Sequence, residues 1–310
     1  MKKKLAVTLR RIPGKALRPA PDGLDTLMPI QIARRINQED SLVAAAVRRS
    51  LPAVARVIAA AARAIDRGGR LIYVGAGSSG RIAALDAAEC PPTFDTDPST
   101  VQFVIAGGTR ALASATEADE DSATLGRRDM ARKKPGKNDV VIGIAASGRT
   151  PYTVAALEYA RSRGATTAAL ACNYRTPVVR AAEIAIVVEV GPEVVEGSSR
   201  MKSGTAQKMV LNMISTGAMA RLGYVYGNLM VNVHRKNQKL KERGLSVLQQ
   251  AAGVDRRTAE RALRSAGGSV PVALVMLKAF VSRTEARRRL RVARGHVRRA
   301  IAGMRTPLPA

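Results

Sequence analysis

The stretch Leu71-Ile-Tyr-Val-Gly75-Ala-Gly77-Ser78-Ser79-Gly80-Arg81 decides the fold. It passes from a short apolar run into a glycine-rich turn, and then into the apolar spacing of a helix. Strand, turn and helix in that order open a βαβ unit, whose next strand runs parallel to the first. Four further runs of the same kind follow: VQFVIAGG (101–108), DVVIGIAA (139–146), TTAALAC (166–172) and IAIVVEV (184–190). Helical patterns at about 80–88, 112–133, 151–163 and 176–182 separate them. Alternation of this type predicts an α/β fold, a parallel five-stranded sheet sandwiched by helices. The near-continuous apolarity of the strands fits burial on both faces.

Working outward, residues 1 to about 28 read as an irregular Pro-, Gly- and Arg-rich arm. Two helices are expected over 29–67, closed by Gly68 and Gly69. Beyond Val190 the pattern is helical: a long Met- and Leu-bearing helix at 199–222, a more polar one at 228–243 that carries His234, and a helical tract from 246 to 303. The expected organisation is an arm and helix (1–50), a central α/β unit (51–225) and a helical C-terminal region (226–310) with a small module at about 255–302.

Composition narrows the partners. Hydrophobic residues make up 46% of the 310, which excludes a disordered polyelectrolyte. Aromatics are only 3% and Trp is absent, which argues against a single-strand nucleic-acid binder that stacks bases on rings. Lys and Arg number 51 against 24 Asp and Glu, a net charge of +27 that favours anionic ligands without choosing among them. The Arg cluster of 283–299 suits nonspecific contact with nucleic acid at most. Cys90, Cys172, His234 and His296 show no zinc-binding spacing, and two cysteines make no disulfide framework. A zinc site is therefore not expected. No signal peptide or membrane-length run stands out, so a soluble cytoplasmic protein is expected.

Parallel α/β sheets bind ligands at the carboxyl ends of their strands, and the unusual residues of this chain cluster at such positions. Gly75-Ala-Gly77-Ser78-Ser79-Gly80 has dinucleotide-fingerprint spacing, but the second strand ends Ile105-Ala-Gly-Gly108 without the acidic residue a ribose needs. Ser78 and Ser79 at a helix N-terminus suit a small oxyanion or sugar hydroxyls, and either could equally be a plain N-cap. Ser147, Arg149 and Thr150 form a second strand-to-helix loop suited to a phosphate. Ser198, Ser199 and Lys202 head the long helix, where cations oppose the helix dipole and so mark a local conflict. Glu89, just before Pro91-Pro92, and the cluster Glu117, Asp119, Glu120 and Asp121 offer carboxylates for acid and base roles, although by residue type the cluster reads more readily as a solvated helix face or a partner of a helix dipole. The Pro pair is expected to end the first crossover helix. Cys90 and Cys172 read as packing residues.

These residues carry a resemblance. GRLIYVGAGSSGR (69–81), LDAAECPPTF (85–94), IAGG (105–108), EADED (117–121), GIAASGRTPYTVAALEYAR (143–161), EVVEGSSRMKSGTAQKMVLNMIST (193–216) and GNLMVNV (227–233) resemble, in order and separation, the N-acetylmuramic acid 6-phosphate etherases of the sugar isomerase (SIS) superfamily. The resemblance implies a SIS-type sheet and a carbon–oxygen lyase. Such an enzyme replaces the lactyl ether at C3 of the sugar with a hydroxyl, giving N-acetylglucosamine 6-phosphate and D-lactate in the catabolism and recycling of cell-wall amino sugars. It implies Glu89 as the acid at the ether oxygen and Glu120 as the base at C2, with Glu117 a neighbouring alternative. Ser78, Ser79, Ser147, Thr150, Ser198 and Ser199 would hold phosphate and sugar hydroxyls, with Arg149 and Lys202 adding charge. It also implies a homodimer with shared sites and no cofactor. A non-catalytic SIS-type sugar-phosphate regulator is the competing expectation. The chain departs from the family pattern in its N-terminal segment and in carrying Ser78-Ser79 where Thr-Ser is usual.

Overall fold

A computed structural model describes residues 23–114, 117–232 and 238–303. The N-terminal part holds three helices, α1 (Pro29–Asp40), α2 (Val43–Arg49) and α3 (Leu51–Asp66), where two were expected. Ser50 divides the last two, its hydroxyl donating to the Val187 carbonyl of the sheet. The central unit runs β1 (Leu71–Gly75), α4 (Gly77–Phe94), β2 (Val101–Ile105), α5 (Glu117–Glu120), α6 (Ala123–Arg132), β3 (Val140–Ile144), α7 (Pro151–Ser162), β4 (Thr166–Ala171), α8 (Pro177–Ala181), β5 (Ile184–Val187) and α9 (Lys202–Arg221). All five strands are parallel, in the order β2-β1-β3-β4-β5.

The strand period explains the two-layer core. Leu71 and Tyr73 of β1, with Val140, Ile142 and Ile144 of β3, face a layer shared with α2, α3, α4 and α9. Ile72, Val74 and Val141 face the opposite layer, shared with α6, α7 and α8. Side chains alternate across a strand, so both faces must be apolar when both are covered. Glycines set the closest approaches: a Cβ on Gly80 would strike Ile105 at 2.5 Å, and one on Gly126 would strike the backbone of Tyr152 at 2.1 Å.

Three expectations are corrected. The helix after β1 runs to Phe94 rather than ending at Pro91. The prolines sit in its last turns, where they withdraw only the N–H groups that would reach Ala87 and Ala88, and the helix stops at Asp95 in the left-handed region (φ 59°). The pattern at 112–133 is broken into a 3₁₀ turn (Gly108–Leu112), α5 and α6, with Ser122 capping α6 through Leu125 N at 3.2 Å. The expected helix at 228–243 is instead a hairpin, β6 (Val225–Tyr226) and β7 (Leu229–Met230), followed by α10 (Gln238–Ala252). Gly227 at φ 60° and Asn228 make its two-residue turn. His234 lies outside the described residues.

The chain ends in α11 (Arg256–Ser265), α12 (Val270–Ala279), α13 (Arg283–Val292) and α14 (Val297–Ala302), which share a core of their own with α10 and the hairpin. Part of the Arg excess is engaged here. Arg288 and Arg289 hold Glu285, Arg256 holds Glu242 and Glu260, Arg294 reaches Asp66 of α3, and Arg298 lies over Tyr226. No helix among the described residues is long and apolar enough to cross a membrane.

Candidate active site

The strand order reverses between β1 and β3, and the crevice outside the carboxyl ends there is where open α/β sheets bind ligands. Two of the sequence-defined loops flank it. In the first, Ala76 is the N-cap of α4 and no side chain caps the helix, so neither Ser78 nor Ser79 is consumed as a cap. Ser79 is buried and Ser78 half-buried in the first turn. The N-cap side chain makes no bond to this helix start, and a helix N-terminus is the usual anchor for an oxyanion.

In the second loop, Gly148 turns at φ 69° and its N–H donates to the Ala145 carbonyl at 2.9 Å. Ser147 Oγ accepts from Arg149 N at 3.2 Å, Thr150 precedes Pro151 at the start of α7, and Ser147 and Arg149 stand exposed. Thr176 supports this loop from behind: a Cβ on Gly148 would collide with its side chain, and its buried hydroxyl has no hydrogen-bond partner. Sequence patterns gave no sign of Thr176.

Glu120, at the end of α5, comes to the first loop. A Cβ on Gly77, itself at φ 51°, would lie 2.8 Å from Glu120 Oε1. A carboxylate therefore sits against the start of α4, where the helix dipole favours negative charge. The side chain of Glu117 lies outside the described residues. Glu89 is exposed on the same helix, twelve residues beyond Gly77. At 1.5 Å per residue that is about 18 Å along the axis. One chain thus does not bring Glu89 and Glu120 together.

The third loop behaves differently. Ser198 is half-buried and Ser199 exposed before α9. Lys202 is turned inward: its side chain is 2% exposed and its Nζ lies 2.6 Å from Glu39 Oε2. The α9 N-terminus is capped by Glu193, which accepts from Lys202 N and Ser203 N at 2.9 Å each. The charge conflict read from the sequence is therefore settled inside the protein, by two carboxylates that sequence spacing does not reveal.

Beneath Glu89 lies a buried polar network. Asp86 accepts from Tyr73 Oη at 2.7 Å and from Ser215 Oγ at 3.1 Å. Burial lifts its carboxyl above the usual range, against the pull of those two hydroxyls. Cys90 donates to the Asp86 carbonyl at 3.3 Å, and burial pushes its thiol up to about 12. Burial likewise pushes Cys172 up to about 11. Both thiols are buried and protonated, as packing residues should be.

The chain is similar to known proteins over most of its length. The SIS-domain profile matches residues 128–216, and that of the glucokinase regulatory protein N-terminal SIS domain matches 53–161. The chain is 47% identical over 297 residues to N-acetylmuramic acid 6-phosphate etherase 2 of Vibrio parahaemolyticus, covering 96% of this chain and 99% of that one. It is 50% identical over 283 residues to the N-acetylmuramic acid 6-phosphate etherase of Yersinia pestis, covering 91% and 96%. The Geobacillus thermodenitrificans etherase is 49% identical over 278 residues, covering 90% and 94%. Among solved structures, a phosphoheptose isomerase from Francisella tularensis aligns with a TM-score of 0.48 at 16% identity, covering 63% of this chain and all of that one. With near-complete coverage at such identity, the chain belongs to the family of N-acetylmuramic acid 6-phosphate etherases.

Proposed function

We propose that the chain cleaves the lactyl ether of N-acetylmuramic acid 6-phosphate, releasing D-lactate and N-acetylglucosamine 6-phosphate. The observation that carries the chemistry is the Glu120 carboxylate held against the start of α4, beside a serine-bearing helix N-terminus. With the sugar ring open, the C1 aldehyde acidifies the C2 hydrogen. Glu120 takes that proton while Glu89 gives one to the departing lactyl oxygen, so the C3–O bond breaks as the C2–C3 double bond forms. Water then adds at C3 and a proton returns to C2. Each transfer is ordinary general acid–base catalysis. Ser78, Ser79, Ser147, Thr150, Ser198 and Ser199 hold the phosphate and sugar hydroxyls, with Arg149 at the rim. Lys202 contributes through the α9 start that it anchors rather than by direct contact.

The separation of Glu89 from Glu120 within one chain supports a homodimer in which each site draws Glu120 from one subunit and Glu89 from the other. In this arrangement residues 51–225 carry the sugar-phosphate site and 226–310 the helical appendage. The physiological setting is cytoplasmic recycling of wall-derived amino sugar.

Purified protein is expected to release D-lactate from N-acetylmuramic acid 6-phosphate. No release above a Glu89→Gln control would overturn the lyase assignment and favour a sugar-phosphate regulator, which the match over 53–161 also resembles. Glu120→Gln is expected to abolish solvent exchange of the C2 hydrogen, and Glu89→Gln to slow ether cleavage more than exchange.

A further inference from the structure

The stripe Ile82, Asp86, Glu89 follows i, i+4, i+7 spacing, so these side chains line one side of α4. Its first two members face α9. Ile82 Cδ1 would lie 3.4 Å from a Cβ on Gly204, and Asp86 accepts from Ser215. Glu89 is the next step of that stripe and is exposed, so its carboxyl emerges at the α4/α9 seam. On the α9 side of the seam stand Lys208 and Asn212, both exposed and one helical turn apart. With its nitrogen turned toward Asp86 and its oxygen toward Lys208, the orientation that satisfies both neighbours, Asn212 donates to Asp86 Oδ1 at 3.1 Å and accepts from Lys208 Nζ at 2.7 Å. The Lys208 ammonium is thus held in place at the α4/α9 seam by the buried Asp86 carboxylate through one amide, and Glu89 is one helical turn beyond Asp86 on α4.

The etherase reaction gives that position a use. The substrate differs from other amino-sugar phosphates by a lactyl group whose carboxylate lies one carbon from the ether oxygen. A group that protonates the ether oxygen and a group that binds the carboxylate must therefore stand side by side, within about two hydrogen-bond lengths plus that spacer. We infer that Lys208 binds the lactyl carboxylate, positioned by Asn212 and Asp86, and so selects substrates that bear the lactyl group. The assignment rests on the etherase activity proposed above. Because Lys208 and Glu89 share a chain, it holds whether or not the site is shared between subunits. The geometry also explains why a polar network is buried here: without Asp86 beneath it, Asn212 would have no fixed orientation from which to hold the lysine.

The test compares two ligands that differ only in the lactyl group. Lys208→Met is expected to raise KM for N-acetylmuramic acid 6-phosphate by about 10- to 100-fold, the range for losing a charged hydrogen bond. The inhibition constant of N-acetylglucosamine 6-phosphate should stay within about twofold, since that product lacks the carboxylate. Lys208→Arg should restore much of the loss, and Asn212→Leu should raise the same KM by a smaller factor. Parallel weakening of both ligands, or no change in either, would overturn the assignment. So would an Asn212→Leu enzyme indistinguishable from wild type, as regards positioning. If the wild-type protein releases no lactate, the etherase activity itself fails, which is a different result from a lactate-releasing enzyme whose Lys208→Met variant keeps its KM.

Discussion

Mixing two inactive variants tests the division of the site between subunits. A Cβ on Gly77 would lie 2.8 Å from Glu120 Oε1, and Glu89 lies twelve residues further along α4, about 18 Å by helical rise. A glutamate side chain leaning back toward the helix N-terminus recovers about 5 Å of this, leaving a gap of about 10 Å or more. Acid and base acting on adjacent carbons need to stand closer than that, since paired carboxylates that act on one sugar stand about 5 to 9.5 Å apart. In a dimer with shared sites, a heterodimer of Glu89→Gln with Glu120→Gln has one site with both lesions and one with neither. Purified heterodimer should show about half of wild-type activity, and a one-to-one statistical mixture about one quarter. Each homodimeric variant should retain about 1% or less, since removing a general acid or base costs about 10²- to 10⁴-fold. The assay is D-lactate release after co-expression of the two variants with different affinity tags. If both glutamates act within one chain, every site in the mixture carries a lesion. Activity no higher than that of the homodimeric variants would refute the shared site.

Other consequences follow from single contacts. Lys202→Met should destabilise the fold by about 3–5 kcal/mol in denaturant titration, because it strands the buried Glu39 carboxylate, and Glu39→Leu with Lys202→Met should recover most of that loss. Gly77→Ala should lower kcat by tenfold or more while Tm falls only a few degrees: the left-handed conformation costs an L-residue about 1–2 kcal/mol, and the new methyl must push Glu120 aside. Phe280→Gly should raise stability by about 0.5–1 kcal/mol, because Phe280 is 93% exposed and holds φ 54° at the end of α12. Arg288 and then Arg289 hold the Glu285 carboxyl down at about 2. Its lowered value means that its contribution to stability is present above about 4.5 and is lost as pH falls toward 2, so Glu285→Gln should flatten the acid limb of a thermal-melt pH series.

What could be read from the sequence was what local period and turn chemistry encode. The five strands fall within the expected runs because burial on both faces leaves an apolar signal that does not depend on any distant partner. The glycine loops were visible for the same reason: Gly77 and Gly148 take conformations that favour glycine, and each sits between a strand and a helix. The hairpin at Gly227-Asn228 carried a recognised turn signal, but two-residue strands give too little alternation to outweigh the helical pattern beyond them. The prolines of α4 were misread because a proline near a helix end removes few bonds, whereas the same residue in the interior would break the helix.

The site is legible in a different way. Loop residues announce themselves by type, since serines and glycines between a strand and a helix have few other uses. Charged residues do not, because a charge takes its meaning from its partner. Lys202 looked like a ligand for an anion and is instead paired with Glu39, which stands 163 positions away in the sequence. Glu193, the cap of α9, lies in a segment with no helical signature. The sequence around Lys208 does not name its partner, and the structure ties it through Asn212 to the buried Asp86. The same +27 charge therefore contains three kinds of cation: those spent on internal carboxylates, those on solvated faces, and a few placed where an anionic group can reach them. Only the third kind can carry specificity, and it is identified by the contact that holds the cation in place rather than by the number of charges nearby.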